Sequence, residues 1–204
     1  MKTYFVTGIS TDIGKTICSA ILVEALNADY WKPIQAGELE NTDSDKIKNL
    51  ITNKVSQIHP EQYLLKSAMS PHAAAKIDGL EINLNDIKVP GTSNTLIIEG
   101  AGGLMVPLNS DGDFLIDYRF DKYLEIIIVS KNYLGSINHT LLTVEALKNR
   151  KLAIAGIIFN GISNPDSEEI ILKKSGLKCL GRIPRTEKVD REFVLSEARK
   201  FAKF

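Results

Sequence analysis

The sequence holds only two cysteines, Cys18 and Cys179, among its 204 residues. Neither belongs to a CxxC pair or a His-rich neighbourhood, which argues against zinc and against a disulfide framework. Both read as reduced thiols packed in apolar stretches. An excess of charge of one sign is missing too, because 25 Lys plus Arg face 25 Asp plus Glu with no long run of either. That balance removes the electrostatic footprint expected of a partner for DNA, RNA or an anionic membrane, and points to a small-molecule partner. No apolar run reaches the roughly 18 residues a membrane-spanning helix needs. The strand-like stretch over residues 3–7 follows the initial Met almost at once, without the apolar h-region of a signal peptide, so a cytoplasmic location is expected. Linkers, low-complexity tracts and internal repeats are also missing.

What is present suits one α/β domain spanning residues 1–204, since 44% hydrophobic residues suffice for a core without disulfides or metals. Short β-branched or aliphatic runs recur: Tyr4-Phe5-Val6, Tyr30-Trp31-Lys32-Pro33-Ile34, Thr95-Leu96-Ile97-Ile98, residues 125–129 and residues 153–159. Between them lie helix-length amphipathic segments, clearest after Gly14, after Gly135 and near the C-terminus. Near-continuous apolar strands alternating with helices predict a mostly parallel sheet flanked by helices on both faces. Ligands of such sheets bind beyond the carboxyl ends of the strands.

The unusual sequences fall at those ends. After the first strand comes Gly8-Ile9-Ser10-Thr11-Asp12-Ile13-Gly14-Lys15-Thr16, a loop leading into a helix. A helix N-terminus there offers unpaired N–H groups to phosphate, Lys15 can reach the β- and γ-phosphates, and the Thr16 hydroxyl can ligate Mg²⁺. The spacing departs from the usual phosphate loop, with five residues instead of four between Gly8 and Gly14. A second strand ends in Glu99-Gly100-Ala101-Gly102-Gly103, read as a glycine-rich turn whose carboxylate can bind Mg²⁺. Lys32 stands at another strand end, where it can neutralise charge on a transferring phosphoryl group, and Asp45 opens a helix from which it can complete the metal shell. Asp43, Ser44 and Asp45 equally suit ordinary helix capping. Gly135, Ser136, Ile137 and Asn138 begin a further helix whose free N–H groups can hold a substrate carboxylate. His72 and His139 lie near helix starts without a Ser or Cys nucleophile arrangement and read as packing or capping residues.

Taken in order, the Gly8-to-Thr16 loop, Lys-Pro-Ile-Gln-Ala-Gly, the Ser44-Asp45 pair, Ser70-Pro71-His72, Glu-Gly-Ala-Gly-Gly and Leu-Gly-Ser-Ile-Asn-His resemble dethiobiotin synthetase. The likeness runs nearly the whole chain, to Gly181-Arg182-Ile183-Pro184. It implies a P-loop enzyme, a homodimer that uses ATP and Mg²⁺ to close the ureido ring of dethiobiotin from 7,8-diaminononanoate and CO₂. A carbamate and a carbamic–phosphoric anhydride would be its intermediates. By the same resemblance Thr11, Asp12, Ile13, Gly14, Lys15 and Thr16 form the phosphate loop; Thr16, Asp45 and Glu99 hold the magnesium; Lys32 is catalytic with Lys15; and Asn160 reads adenine. Ala36 and Lys32 face the substrate, whose carboxylate reaches residues 135–138 across the dimer interface. Asp12 stands where the family usually has glutamate, and Ala36 where serine or threonine is common. Amidases that activate cobyrinate carry an additional glutaminase domain for which this chain has no room. Septum-positioning and partition ATPases carry an extra lysine where Ile9 and Ser10 stand here.

Overall fold

The computed structural model describes residues 2–120 and 123–201. Strand β1 (Thr3–Gly8) is buried from end to end and forms the centre of the molecule. Strands β6 (Leu96–Gly103) and β7 (Leu124–Lys131) run parallel to it on either side, with Tyr4 opposite both Ile97 and Glu125. Outward from β6 lie β2 (Asp29–Trp31) and the short β4 (Ile58–His59); outward from β7 lie β8 (Ile154–Gly161) and β9 (Cys179–Pro184). The result is a seven-stranded sheet in the order β4-β2-β6-β1-β7-β8-β9, parallel at every described pairing. A sheet covered on both faces needs apolar residues at successive positions, and Ile126, Ile127, Ile128 and Val129 of β7 are all fully buried.

The connections are helical. α1 (Lys15–Leu26), α2 (Asp43–Leu50) and α6 (Arg191–Phe201) touch one another, as do α4 (Ser136–Asn149) and α5 (Pro165–Ser175). A short α3 (Pro71–Asp78) packs near a two-stranded parallel sheet of β3 (Ile34–Ala36) and β5 (Tyr63–Leu65). Among the described residues no helix is long and apolar enough to cross a membrane.

Two expected elements are redrawn. The run Tyr30-Trp31-Lys32-Pro33-Ile34 predicts one strand, but Lys32 and Pro33 break it, sending β2 and β3 into different sheets. Pro33 has no N–H for a ladder, and its carbonyl instead accepts from the backbone of Gln62 and Tyr63. The glycine-rich turn expected at residues 99–103 is a continuation of β6, held to β1 through a register shift that pairs Gly8 with Gly103. The two cysteines are free, Cys18 buried as expected and Cys179 only half-buried. His72 and His139 are exposed rather than packed; the His139 ring accepts or donates at Nδ1 to the Tyr133 hydroxyl, 2.7 Å away.

Edge strand β9 is fastened through Glu168 in the first turn of α5, a carboxylate only 1% exposed. Arg182 of β9 donates to its Oε2 at 2.5 Å, while Asn132, Asn164 and Ser163 donate to Oε1 at 2.9, 3.1 and 3.2 Å. Burial works against the charged form, but the Arg182 guanidinium and the amide donors outweigh it and hold the carboxyl below its ordinary value of 4.5. A lowered folded-state value gives stability that is present above the unfolded value and is lost as pH falls through the folded one. Glu168→Gln should therefore cost about 1.5–3 kcal/mol of unfolding free energy at pH 7. The gap from wild type should narrow below about pH 4. Urea titrations at both ends of that range read the two quantities, and a gap independent of pH would refute the charge contribution.

Candidate active site

Where β1 ends, the chain folds into a loop that ordinary residues resist. Asp12 takes a left-handed backbone conformation at φ 53°, and Gly14, the N-cap of α1, sits at φ 87°. A side chain on Gly14 would collide with Asn160, whose Nδ2 lies 2.1 Å from where a Cβ would stand. That same Nδ2 donates to the carbonyl of Ile13 at 2.7 Å, bracing the loop from β8. No side chain caps the first turn of α1, so its N-terminal donors face an open cavity of about 1340 Å³. Lys15 lies folded under the loop, 8% exposed, with Nζ donating to the Ser10 carbonyl at 3.3 Å. Burial lowers its pKa, and the neighbouring Lys32 adds to that effect against the opposing pull of Glu99 and Asp43.

The centre of the cavity is a buried charge cluster contributed by four elements. Glu99 of β6 is 1% exposed. The Thr16 hydroxyl of α1 donates to its Oε1 at 2.9 Å, and the Tyr30 hydroxyl of β2 donates to Oε2 at 2.9 Å. Lys32, 6% exposed just past β2, sits 3.5 Å from Glu99 Oε1 and also pairs with Asp43 at the start of α2. Burial would lower the Lys32 pKa, but the Glu99 and Asp43 carboxylates outweigh it and raise the pKa, so the ammonium stays charged. Burial likewise opposes the Asp43 anion, and Lys32 with Lys46 overcomes it to hold that carboxyl below its ordinary value. Burial and the charge on Glu99 push the Tyr30 phenol well above 10.0, so it remains a donor.

Asp45 does not join this cluster. Its Oδ2 accepts from both the backbone N–H and the hydroxyl of Thr42 at 3.0 Å, and its own N–H donates to the Thr42 hydroxyl at 3.2 Å. This reciprocal capping box starts α2 and turns the Asp45 carboxylate away, leaving Asp43, two residues earlier, on the cavity wall. The pattern Thr42-x-x-Asp45 marks this capping box in the sequence. Tyr30 and Lys46 carried no comparable mark, since each depends on which strand or helix it faces.

Thr11, Asp12, Gly14, Lys15, Thr16, Lys32, Ala36 and Glu99 all line the large cavity, whereas Ile13 is buried and does not. Asn160 lines a second cavity of about 440 Å³, with Gly161, Pro184 and Arg185. Gly135, Ser136, Ile137 and Asn138 line neither of these cavities. They form the start of α4 beyond β7, beside the fully exposed Leu134.

Chemically, the site offers cations and hydrogen-bond donors for phosphate, with neither cysteine nor histidine on the large cavity's wall. Among the described residues no trio of His, Cys, Asp or Glu converges as a self-contained metal site. The donor set is a hydroxyl and two carboxylates, Thr16, Glu99 and Asp43. Few, hard oxygen donors of this kind fit Mg²⁺, which completes its shell with water and substrate phosphate.

A family model described as an AAA domain, AAA_26, matches residues 2–193. Solved structures with the same fold include the cell division ATPase MinD of Pyrococcus furiosus, with TM-score 0.60, 13% identity, and coverage of 100% of this chain and 99% of that one. A ParA family ATPase from Chlorobium tepidum superposes with TM-score 0.51 at 14% identity, covering 99% and 95% of the two chains. Identities this low speak for the fold alone. Curated relatives are far nearer in sequence. An ATP-dependent dethiobiotin synthetase BioD from Cytophaga hutchinsonii is 55% identical over 97% of this chain and 96% of its own. Another, from Christiangramia forsetii, is 52% identical over 99% and 97%. With identities of this order running over nearly the full length of both chains, the chain belongs to the dethiobiotin synthetase family of ATP-dependent ligases.

Proposed function

We propose that residues 1–204 act as one domain that converts 7,8-diaminononanoate, CO₂ and ATP into dethiobiotin, ADP and phosphate in the cytoplasm. The observation that carries this reading is the convergence of Lys32, Glu99, Thr16 and Asp43 beside Lys15 and the uncapped end of α1. One substrate amine adds to CO₂ and loses a proton, giving a carbamate. A carbamate oxygen then attacks the γ-phosphorus and ADP departs, leaving a carbamic–phosphoric anhydride. The second amine attacks the carbonyl carbon, closing the ring as phosphate leaves. Each step asks for alignment and charge neutralisation rather than a protein nucleophile.

The α1 N-terminus and Lys15 hold the phosphates, and Lys32 neutralises the transferring group. Thr16, Glu99 and Asp43 would hold Mg²⁺, with Asp43 replacing Asp45 in that role. When bound, the ion supplies positive charge at the phosphate oxygens. Asn160 and the cavity beside it suit the adenine ring. Residues 135–138 of a second protomer would receive the substrate carboxylate in a homodimer, and the exposed Tyr133, Leu134 and Leu142 around them support such a contact.

Phosphate release from MgATP and bicarbonate should depend on added 7,8-diaminononanoate; equal release without it would overturn the proposal. Because Lys32 meets charge that grows in the transition state, Lys32→Gln should lower kcat by about 10²–10³-fold, with nucleotide affinity by calorimetry little changed. Loss of ATP binding with normal kcat would instead make it a ground-state phosphate ligand. The two acids of α2 should behave oppositely. Asp43→Asn should raise half-saturating Mg²⁺ by at least about tenfold, a cost known even for groups that only orient metal ligands. Asp45→Asn should lower stability by about 0.5–2 kcal/mol through the damaged cap and leave the Mg²⁺ requirement alone. The reverse pattern would restore Asp45 to the metal.

A further inference from the structure

Tyr30 is a fully buried ionisable group that none of the chemical steps above employs. In the parallel pairing of β2 with β6 it stands opposite Ile97, and Glu99 follows two residues later on the same face of the sheet. The phenol therefore lies along the strand and reaches the carboxylate, donating to Oε2 at 2.9 Å. The other oxygen, Oε1, meets the Thr16 hydroxyl at 2.9 Å and Lys32 at 3.5 Å. Thr16 lines the open cavity, so the two carboxylate oxygens have separate neighbourhoods, one beside the ligand space and one sealed in the sheet.

Covalent geometry does not impose that division, because the terminal torsion of a glutamate is broad and roughly two-fold. A carboxylate oxygen turned into a dry interior needs a donor there, or it seeks one elsewhere. Tyr30 supplies the donor. We propose that Tyr30 is a positioning residue that anchors Glu99 Oε2 in the sheet, so that Oε1 faces the cavity, and thereby sets the affinity of the site for Mg²⁺. The proposal rests on the magnesium role given to Glu99 above.

Tyr30→Phe keeps the ring and removes only the hydroxyl. Mg²⁺ titrated by calorimetry into protein saturated with ADP should bind that variant about 10–100-fold more weakly, the usual cost of losing a partner that orients a metal ligand. Turnover should recover at high Mg²⁺. Glu99→Gln is measured in parallel. If it binds Mg²⁺ as wild type does, the magnesium reading falls and the proposal with it. If Glu99→Gln is impaired while Tyr30→Phe binds normally, the positioning role alone is refuted. Should Tyr30→Phe fail to fold, 3-fluorotyrosine at position 30 preserves ring and hydroxyl. Its ¹⁹F resonance should then move when Mg²⁺ joins bound ADP, and a resonance indifferent to Mg²⁺ overturns the proposal.

Discussion

The ion pairs among Lys32, Glu99 and Asp43 constrain everything around them, because charges this deep are tolerated only with opposite charges and hydrogen bonds at hand. Glu99 has a donor on each oxygen, and Lys32 has a carboxylate on each side. Replacing such a cluster with apolar residues would be at least as good for stability, so its presence is better explained by the ligand than by the fold. Under the proposed reading, phosphate brings negative charge toward Lys32 and Mg²⁺ brings positive charge toward Glu99 and Asp43. Arrival of the two together keeps the interior near neutral.

The sheet makes that cluster possible. Glu99 and Tyr30 come from adjacent strands, Lys32 from the break that Pro33 imposes, Thr16 from the helix that β1 feeds, and Asp43 from the helix that follows β3. Thr16, Lys32 and Asp43 lie just past strands or at the helix starts beyond them, where an open parallel sheet leaves its crevice, and Tyr30 and Glu99 meet them from within β2 and β6. The phosphate loop is held there against its preferences, with left-handed backbone at Asp12 and Gly14 and a brace from Asn160. A single asparagine thus touches both the loop that would grip phosphate and the second cavity.

Much of this was legible in the residues because period and punctuation agree there. The apolar runs of β1, β7 and β8 and the Gly14-Lys15-Thr16 junction admit one local structure each. Legibility failed where a local signal had two tertiary outcomes. Asp43 and Asp45 look alike in sequence, and the Thr42 hydroxyl decides between them by engaging one. The run from Tyr30 to Ile34 looks continuous until Pro33 is weighed as a missing ladder donor. α5 carried its own start and stop, Asn164 before it, Pro165 at its first position and Gly176 after it, yet its sparse apolar positions give a weak helical stripe. The partnership of Tyr30 with Glu99 could not be read at all, since it exists only once β2 and β6 are in register.

The likeness to MinD and ParA structures alongside the dethiobiotin synthetase relatives sharpens what fold and site each contribute. A parallel sheet with a phosphate loop on its central strand provides a helix end for anions and nothing more particular. Divergence begins with the side chains placed around that end. Here Ile9 and Ser10 occupy the start of the loop, and a second cation enters from Lys32 after β2. A cation fixed in the sheet by Glu99 and Asp43 is permanently in place, independent of any partner. Under the proposed reading, that suits a small anionic acceptor, the carbamate, for which the positive charge is in place before the acceptor arrives.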